Sequence, residues 1–134
     1  TGSKQVLFTP LRDGDSITFE LPVTDAGRYT LAAVVTQGPD YGKFRAKVNG
    51  RETVISYHQT RRRGGRGFEI VPVKSAVFDA GTGAGDSGGH VVRRIEMGTH
   101  SLSKDRAVLT LTAVDVKPGR AAIGVDQIMI TRAD

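Results

Sequence analysis

Apolar and polar residues alternate along several short segments of the chain, and a period of two residues is typical of a strand with one buried face. The clearest of these segments are 16–21, 29–35, 43–48 and 107–113. Further strand-like apolar runs are 68–78, 91–97 and 122–131, the first of them interrupted by Pro72. Proline inside such a run indicates an edge strand or a bulge. No long window combines helical spacing with a cap, so the pattern predicts an antiparallel β-sandwich or barrel of about nine strands.

Segment 43–48 alternates apolar with basic residues. The apolar positions are Phe44, Ala46 and Val48, and the basic positions are Lys43, Arg45 and Lys47. We expect this strand to place a basic stripe on the outside of its sheet. Asn49-Gly50 follows at once. Because both residues tolerate positive φ angles, the sequence predicts a tight hairpin that returns into residues 53–57.

Two polar, glycine-rich stretches interrupt the regular spacing of the strands. They are residues 59–67, QTRRRGGRG, and residues 79–90, DAGTGAGDSGGH. Long connections on a rigid sandwich are either binding loops or simply mobile. We find neither an internal repeat nor a linker, and the chain begins and ends abruptly. We therefore expect residues 1–134 to form a single β-sandwich domain excised from a larger multidomain protein.

The composition excludes several kinds of site and favours one kind of partner. The chain has no cysteine, which removes disulfides, thiolate metal sites and cysteine nucleophiles. Lys and Arg number 19 against 14 Asp and Glu, a net charge of +5. Basic domains meet anionic partners such as acidic glycans, nucleic acids or anionic surfaces. No apolar run approaches the roughly 18 residues of a membrane helix, so we expect no membrane partner.

Residues 85–89, Gly-Asp-Ser-Gly-Gly, match the segment around the nucleophile of trypsin-like proteases and the G-x-S-x-G turn of α/β-hydrolases. A serine nucleophile needs a base and an orienting acid. The chain is too short for the second barrel of the first class, and a glycine tract stands where the second class needs a strand. We therefore interpret the match as coincidental and predict that the domain is not an enzyme.

The signals for a metal site are equally weak. Asp79 and Asp86 could bind calcium through their carboxylates, but two acids in a glycine-rich loop are more often solvated. His58, His90 and His100 lack the pairing that a zinc site requires. We predict no cofactor and no metal site.

The densest positive charge of the chain lies in residues 59–67, which contain Arg61, Arg62, Arg63 and Arg66. Arginines between glycines can hold phosphate, sulfate or carboxylate through forked hydrogen bonds. RGG-like segments also bind nucleic acid, although Tyr57 is the only nearby ring on which a base would stack. The structural alternative is an exposed basic loop that keeps the domain soluble and protects a sheet edge.

Three further side chains each have a functional and a structural interpretation. Tyr41 either stacks on a sugar ring or closes one end of the sandwich. Tyr57 and His58, where a strand meets the arginine-rich stretch, leave the same two alternatives open. Asp126 lies inside an apolar strand, and we interpret it as a structural acid hydrogen-bonded to a neighbouring loop.

The order of motifs along nearly the whole chain resembles a known group of domains. The motifs are GDSITF at 14–19, AGRYTL at 26–31, DYGKF at 40–44, VNG at 48–50, MGTHSL at 97–102 and GVDQIMI at 124–130. Together they resemble the galactose-binding-like jelly rolls, including carbohydrate-binding modules of families 6 and 35 and jelly-roll domains attached to bacterial glycoside hydrolases.

This resemblance implies a secreted bacterial jelly-roll β-sandwich without catalytic activity, which holds an attached enzyme near a polysaccharide. Ligands of such modules lie on the loop rim at one end or on the outer face of one sheet. The corresponding rim candidates are Tyr41, Tyr57, His58, Arg61, Arg63, Asp86 and His90. The sheet-face candidates are Lys43, Arg45 and Lys47.

From the charge we expect an acidic polysaccharide, such as a uronate or sulfated polymer, as the ligand. Arg61, Arg63 and Arg66 would pair with its acid groups, and Tyr41 or Tyr57 would stack on a ring. The attached catalytic domain is the second expected partner. Two alternatives remain open: a structural or assembly jelly roll without a glycan ligand, and a domain that binds an anion or nucleic acid through its arginine-rich loop.

Overall fold

The computed structural model describes residues 6–62, 67–82, 91–119 and 121–133, with the backbone alone described at 60–62 and 82. Eleven β-strands and one 3₁₀ turn, Ala80–Thr82, make up the regular structure of these ranges. The strands are β1 (Val6–Phe8), β2 (Ser16–Glu20), β3 (Gly27–Gln37), β4 (Lys43–Val48), β5 (Arg51–Thr53), β6 (Ile55–Arg62), β7 (Phe68–Ser75), β8 (Val77–Asp79), β9 (Val91–Leu102), β10 (Val108–Val114) and β11 (Ile123–Arg132). The all-β prediction is confirmed, with slightly more strands than expected. Within the described ranges no helix has the length and apolarity of a membrane span.

The strands form two antiparallel sheets. One has six strands in the order β1-β11-β3-β9-β6-β7. The other has five, in the order β2-β10-β4-β5, with β8 also paired to β4. The facing sides of the sheets enclose one hydrophobic core. The fold is therefore a two-sheet β-sandwich, an arrangement compatible with a jelly roll.

The predicted alternation decides which side chains of the five-stranded sheet enter the core. Phe44, Ala46 and Val48 of β4 are buried. All three stand in register with buried residues of β10: Val48 opposite Leu109, Ala46 opposite Leu111, and Phe44 opposite Ala113. Because successive side chains of a strand point to opposite faces, the intervening residues of both strands face outward.

The predicted Asn49-Gly50 hairpin is present between β4 and β5. Both residues have positive φ, 51° and 83°, as the commonest two-residue hairpin turn requires. The return strand differs from the prediction. β5 ends at Thr53, and after the half-exposed Val54 the chain enters the other sheet as β6. One predicted strand is therefore two strands in different sheets.

The first polar, glycine-rich stretch is in part strand. β6 continues to Arg62 and β7 begins at Phe68, so residues 59–62 belong to β6. β8 and the 3₁₀ turn include the first residues of segment 79–90, and residues 83–90 lie outside the described ranges. β7 is the last strand of its sheet. Of the two possibilities that the sequence leaves open for Pro72, an edge strand or a bulge, the structure shows the edge strand.

The six-stranded sheet is held together unevenly. Among the described residues, β6 and β9 share a single register pair, Ser56 with Glu96. Beyond this pair, the side chain of Arg93 connects the two strands. Arg93 donates from Nη1 to the carbonyl oxygen of His58 and from Nε to Oε1 of Gln37, 2.6 Å away. The amide of Gln37 is buried and itself donates to a backbone carbonyl, so the guanidinium is fixed in place.

Candidate functional site

Two tyrosines predicted for a ligand-binding rim take part in the packing of the sandwich. Tyr41 is only 7% exposed and belongs to the hydrophobic core. It lies between the end of β3 and the start of β4, so it closes one end of the sandwich. Tyr57 is half-buried, with its ring edge-on to Phe78 at a centroid distance of 5.0 Å. The guanidinium of Arg93 lies over the ring of Tyr57, 5.8 Å from its centroid.

Among the other rim candidates, the structure describes the side chain of His58 alone. His58 is exposed and follows Tyr57 in β6, so it faces the outer side of the six-stranded sheet. Arg61 lies in β6, where the backbone alone is described. Outside the described residues lie Arg63, Arg66, Asp86 and His90, together with Ser87 of the Gly-Asp-Ser-Gly-Gly match. The predictions that rest on them stay predictions.

The three sheet-face candidates do share one surface. Lys43, Arg45 and Lys47 occupy alternate positions of β4, each half-buried, opposite in direction to the core residues between them. The structure therefore places the predicted basic stripe on the outer face of the five-stranded sheet.

Hydroxyl groups line the same face beside the stripe, on β2 and β10. Thr110 is in register with Lys47 on one side and Thr18 on the other. Thr112 is in register with Arg45 and Ser16 in the same way. The Oγ1 atoms of Thr18 and Thr110 are 3.3 Å apart, within hydrogen-bond distance. We call these four hydroxyl residues and the three cations the polar face.

Sequence reasoning missed the hydroxyl half of the polar face, although the signal was present. The outward positions of segments 16–18 and 110–112 are all Ser or Thr. The two segments lie beside the basic strand because the sheet order is β2-β10-β4. Alternation alone does not specify this order.

Two of the cations on the polar face are ion-paired. Lys43 Nζ lies 3.2 Å from Asp115 Oδ2, and Arg45 Nη1 lies 3.2 Å from Glu52 Oε1. Lys117 Nζ approaches the same oxygen of Asp115 at 3.8 Å. The hydrogen bond from Lys43, and then the charge of Lys117, lower the pKa of the Asp115 carboxyl below its ordinary value of 3.8. In the part of the chain that the structure describes, Lys47 takes part in no ion pair.

Two acids predicted to be of interest have local partners. Asp79 accepts a hydrogen bond through Oδ1 from the backbone N–H of Gly81 at 2.8 Å. Asp126 accepts one through Oδ2 from the hydroxyl of Thr36, 3.3 Å away on the neighbouring strand rather than on a loop. The described residues contain no group of three or more His, Asp or Glu side chains arranged to hold a metal ion.

Comparison of the chain with models of known protein families gives no match. Comparison with curated proteins gives no significantly similar relative. The function therefore has to be argued from the chemistry of the surfaces themselves.

Proposed function

We propose that this domain is a non-catalytic carbohydrate-binding module that holds an attached, secreted enzyme near an acidic polysaccharide. The observation that supports the proposal best is the polar face, where cations and hydroxyls lie in adjacent rows on one rigid sheet. Serine and threonine hydroxyls both donate to and accept from sugar hydroxyls. Lysine and arginine make the stronger, charge-assisted hydrogen bonds to carboxylates and sulfates. An extended acidic polymer offers both kinds of group along its length.

The ion pairs on the polar face leave its cations available to a ligand. Pairs between solvent-exposed side chains contribute at most about 1 kcal/mol. An acid group of the polymer can therefore replace Glu52 at Arg45, or Asp115 at Lys43, with little loss of stability. Lys47 has no ion pair among the described residues, so a ligand does not have to displace a carboxylate there. We expect Lys47 to be the first cation that the polymer contacts.

Affinity gels containing polygalacturonate or dextran sulfate test the proposal, with dextran as the uncharged control. We expect retention at low salt and its loss at about 0.5 M salt, because exposed charges are then screened within a few ångströms. Replacing Lys43, Arg45 and Lys47 by Gln should weaken binding at least about tenfold, equivalent to about 1.4 kcal/mol.

Lys74→Gln is the control for loss of one charge, since Lys74 is exposed on β7 in the other sheet. Retention that ignores salt, or equal losses from the triple variant and from Lys74→Gln, would count against a specific charged face. Retention of uncharged dextran alone would support a carbohydrate-binding module but contradict its proposed preference for acidic polymers.

A structural or assembly domain is the second candidate, and one observation favours it. The edge strand β7 exposes Phe68 by 69% and Ile70 by 70%. An edge strand with large apolar side chains can pair with a strand of another chain. In this case the domain would form a stable oligomer that ignores every glycan.

A further inference from the structure

The end of the sandwich opposite Tyr41 contains a cleft that sequence analysis did not identify. Tyr41 precedes β4, whereas the cleft lies where β4 ends, where β3 begins and where β9 ends. The six residues of β4 separate the two ends by about 20 Å, at roughly 3.3 Å per residue. The cleft has a volume of about 630 Å³, which is within the range of small-ligand sites.

The charged side chains that line the cleft are all basic. Arg28, Arg51 and Arg106 line it together with His100, and among the described residues that line it none is acidic. The ion pairs found in the described part of the chain involve none of these three arginines. Like charges around one cleft repel each other, and no carboxylate among the described lining residues offsets that repulsion.

The backbone around Arg106 is rigid. Ser103 and Arg106 exchange backbone hydrogen bonds of 3.2 and 3.0 Å, which close a tight turn. The side chain of Asn49 fastens this turn to the hairpin between β4 and β5. Its Nδ2 donates to the carbonyl of Arg106 at 2.9 Å, and its Oδ1 accepts from the N–H of Val108 at 3.0 Å.

The backbone around Arg28 is held in place by Arg132, at the end of β11, and by Ala133, which follows it. The carbonyl of Arg28 accepts a hydrogen bond of 2.8 Å from the N–H of Ala133. Arg132 packs against Gly27, where an added Cβ would lie 2.8 Å from its Nη2 atom. Nη2 donates to the carbonyl of Ala26 at 3.2 Å, and the guanidinium covers the ring of Tyr29 at 5.5 Å. Two of the three arginines thus stand on backbone that is held in place before any ligand arrives.

We infer that this cleft is an oxyanion site, which binds a sulfate ester or carboxylate of the polysaccharide. Guanidinium groups match such oxyanions with two parallel N–H donors, and the hydroxyls of Ser101 and Ser103 add further donors at the same cleft. The described lining residues include no Phe, Tyr or Trp, so the cleft lacks the large aromatic rings on which single-stranded nucleic acid stacks.

The inference rests on the proposed function in taking the oxyanion to be part of a polysaccharide. The two surfaces adjoin: Lys47 of the polar face immediately precedes Val48, which lines the cleft. A polymer on the polar face therefore reaches the cleft at the Asn49 end of β4.

Calorimetry with dextran sulfate and with polygalacturonate tests the inference at low salt. We expect the variant with Gln at Arg28, Arg51 and Arg106 to lose about tenfold or more in affinity, the two polymers showing whether sulfate or carboxylate is preferred. Arg12→Gln is the control for loss of one charge, because Arg12 is exposed and lies outside the cleft. The melting temperature of the triple variant should stay equal or rise, since repulsion is removed and no described ion pair is lost.

The outcomes separate the two proposals. If the cleft variant binds both polymers like the wild type while the polar-face variant does not, the cleft inference is overturned and the proposed function stands. If only the cleft variant loses affinity, the cleft is supported and the polar face is not. If single-stranded DNA binds more tightly than either polymer, with the same losses, the assignment to a polysaccharide is overturned.

Discussion

Phe78 shows how much of the core depends on one side chain. It has no exposed surface, and its ring lies 5.4 Å from that of Phe44 and 5.0 Å from that of Tyr57. Phe78→Ala should lower the free energy of unfolding by about 3–5 kcal/mol, because the packed sandwich cannot collapse fully around the cavity. Chemical denaturation measures the change.

Phe68→Ala is the control for this prediction, because Phe68 is 69% exposed at the sheet edge. Its effect on stability should stay within about 0.5 kcal/mol. Equal losses in the two variants would mean that Phe78 does not occupy the core.

Among the described residues, Asp115 is the one whose titration the structure perturbs. Its pKa is lowered from 3.8 by the hydrogen bond from Lys43 and the charge of Lys117. A carboxyl with a lowered folded pKa stabilises the fold above its unfolded pKa, and the contribution is lost as the pH falls through the folded value. Asp115→Asn should therefore lower the melting temperature at about pH 6, with a difference from wild type that shrinks towards about pH 2.

Asp105→Asn is the matched variant for the acid limb, since Asp105 is exposed and has no ion pair among the described residues. It should leave the melting temperature close to wild type across the same range. A constant difference between Asp115→Asn and wild type at every pH would contradict the assigned pKa shift.

At the scale of elements, the hairpin between β4 and β5 depends on Asn49. Its φ of 51° lies in the left-handed region, which alanine adopts poorly. Its side chain also joins the hairpin to the turn at Arg106. Asn49→Ala should destabilise the domain by about 2–3 kcal/mol through strain and lost hydrogen bonds.

Asn49→Gly separates the two causes, because glycine accepts positive φ but makes no side-chain hydrogen bond. We expect it to recover part of the stability lost in Asn49→Ala, as measured by denaturation. Equal losses in both variants would show that the hydrogen bonds alone matter.

Elements were predicted well wherever one face of a strand is buried. The alternation at 43–48 identified β4 and both of its faces, and Asn49-Gly50 identified the turn. The crossing at Val54 was not predicted, because a run of strand-forming residues does not reveal that its second part joins another sheet. The cleft was missed for the same reason: Arg28, Arg51 and Arg106 are far apart in sequence, and only the strand order brings them to one end.

At the scale of the whole molecule, the exposed edge of β7 predicts weak self-association. Phe68 and Ile70 expose large apolar side chains on the last strand of this sheet. Light scattering should show an apparent mass that rises with concentration. Ile70→Lys should reduce this rise, because a charge on an edge strand opposes pairing.

Val54→Lys is the control, since Val54 is exposed between β5 and β6, away from that edge. An equal reduction by Val54→Lys would point to general charge repulsion rather than to the β7 edge. A mass that stays monomeric at every concentration would exclude association through β7.

The single register pair between β6 and β9 has a consequence for how this fold can vary. β3 and β9 are joined by ten register pairs and β6 and β7 by eight, but β6 meets β9 at one. The β6–β7 ribbon is therefore a nearly separate hairpin, attached to the rest of the sandwich through the buried Ile55, the half-buried Tyr57 and the hydrogen bond from Arg93. Because β6 and β7 pair chiefly with each other, exchanging described residues on the outer side of this ribbon leaves the register of the other strand pairs unchanged, so we expect the ribbon to tolerate sequence variation.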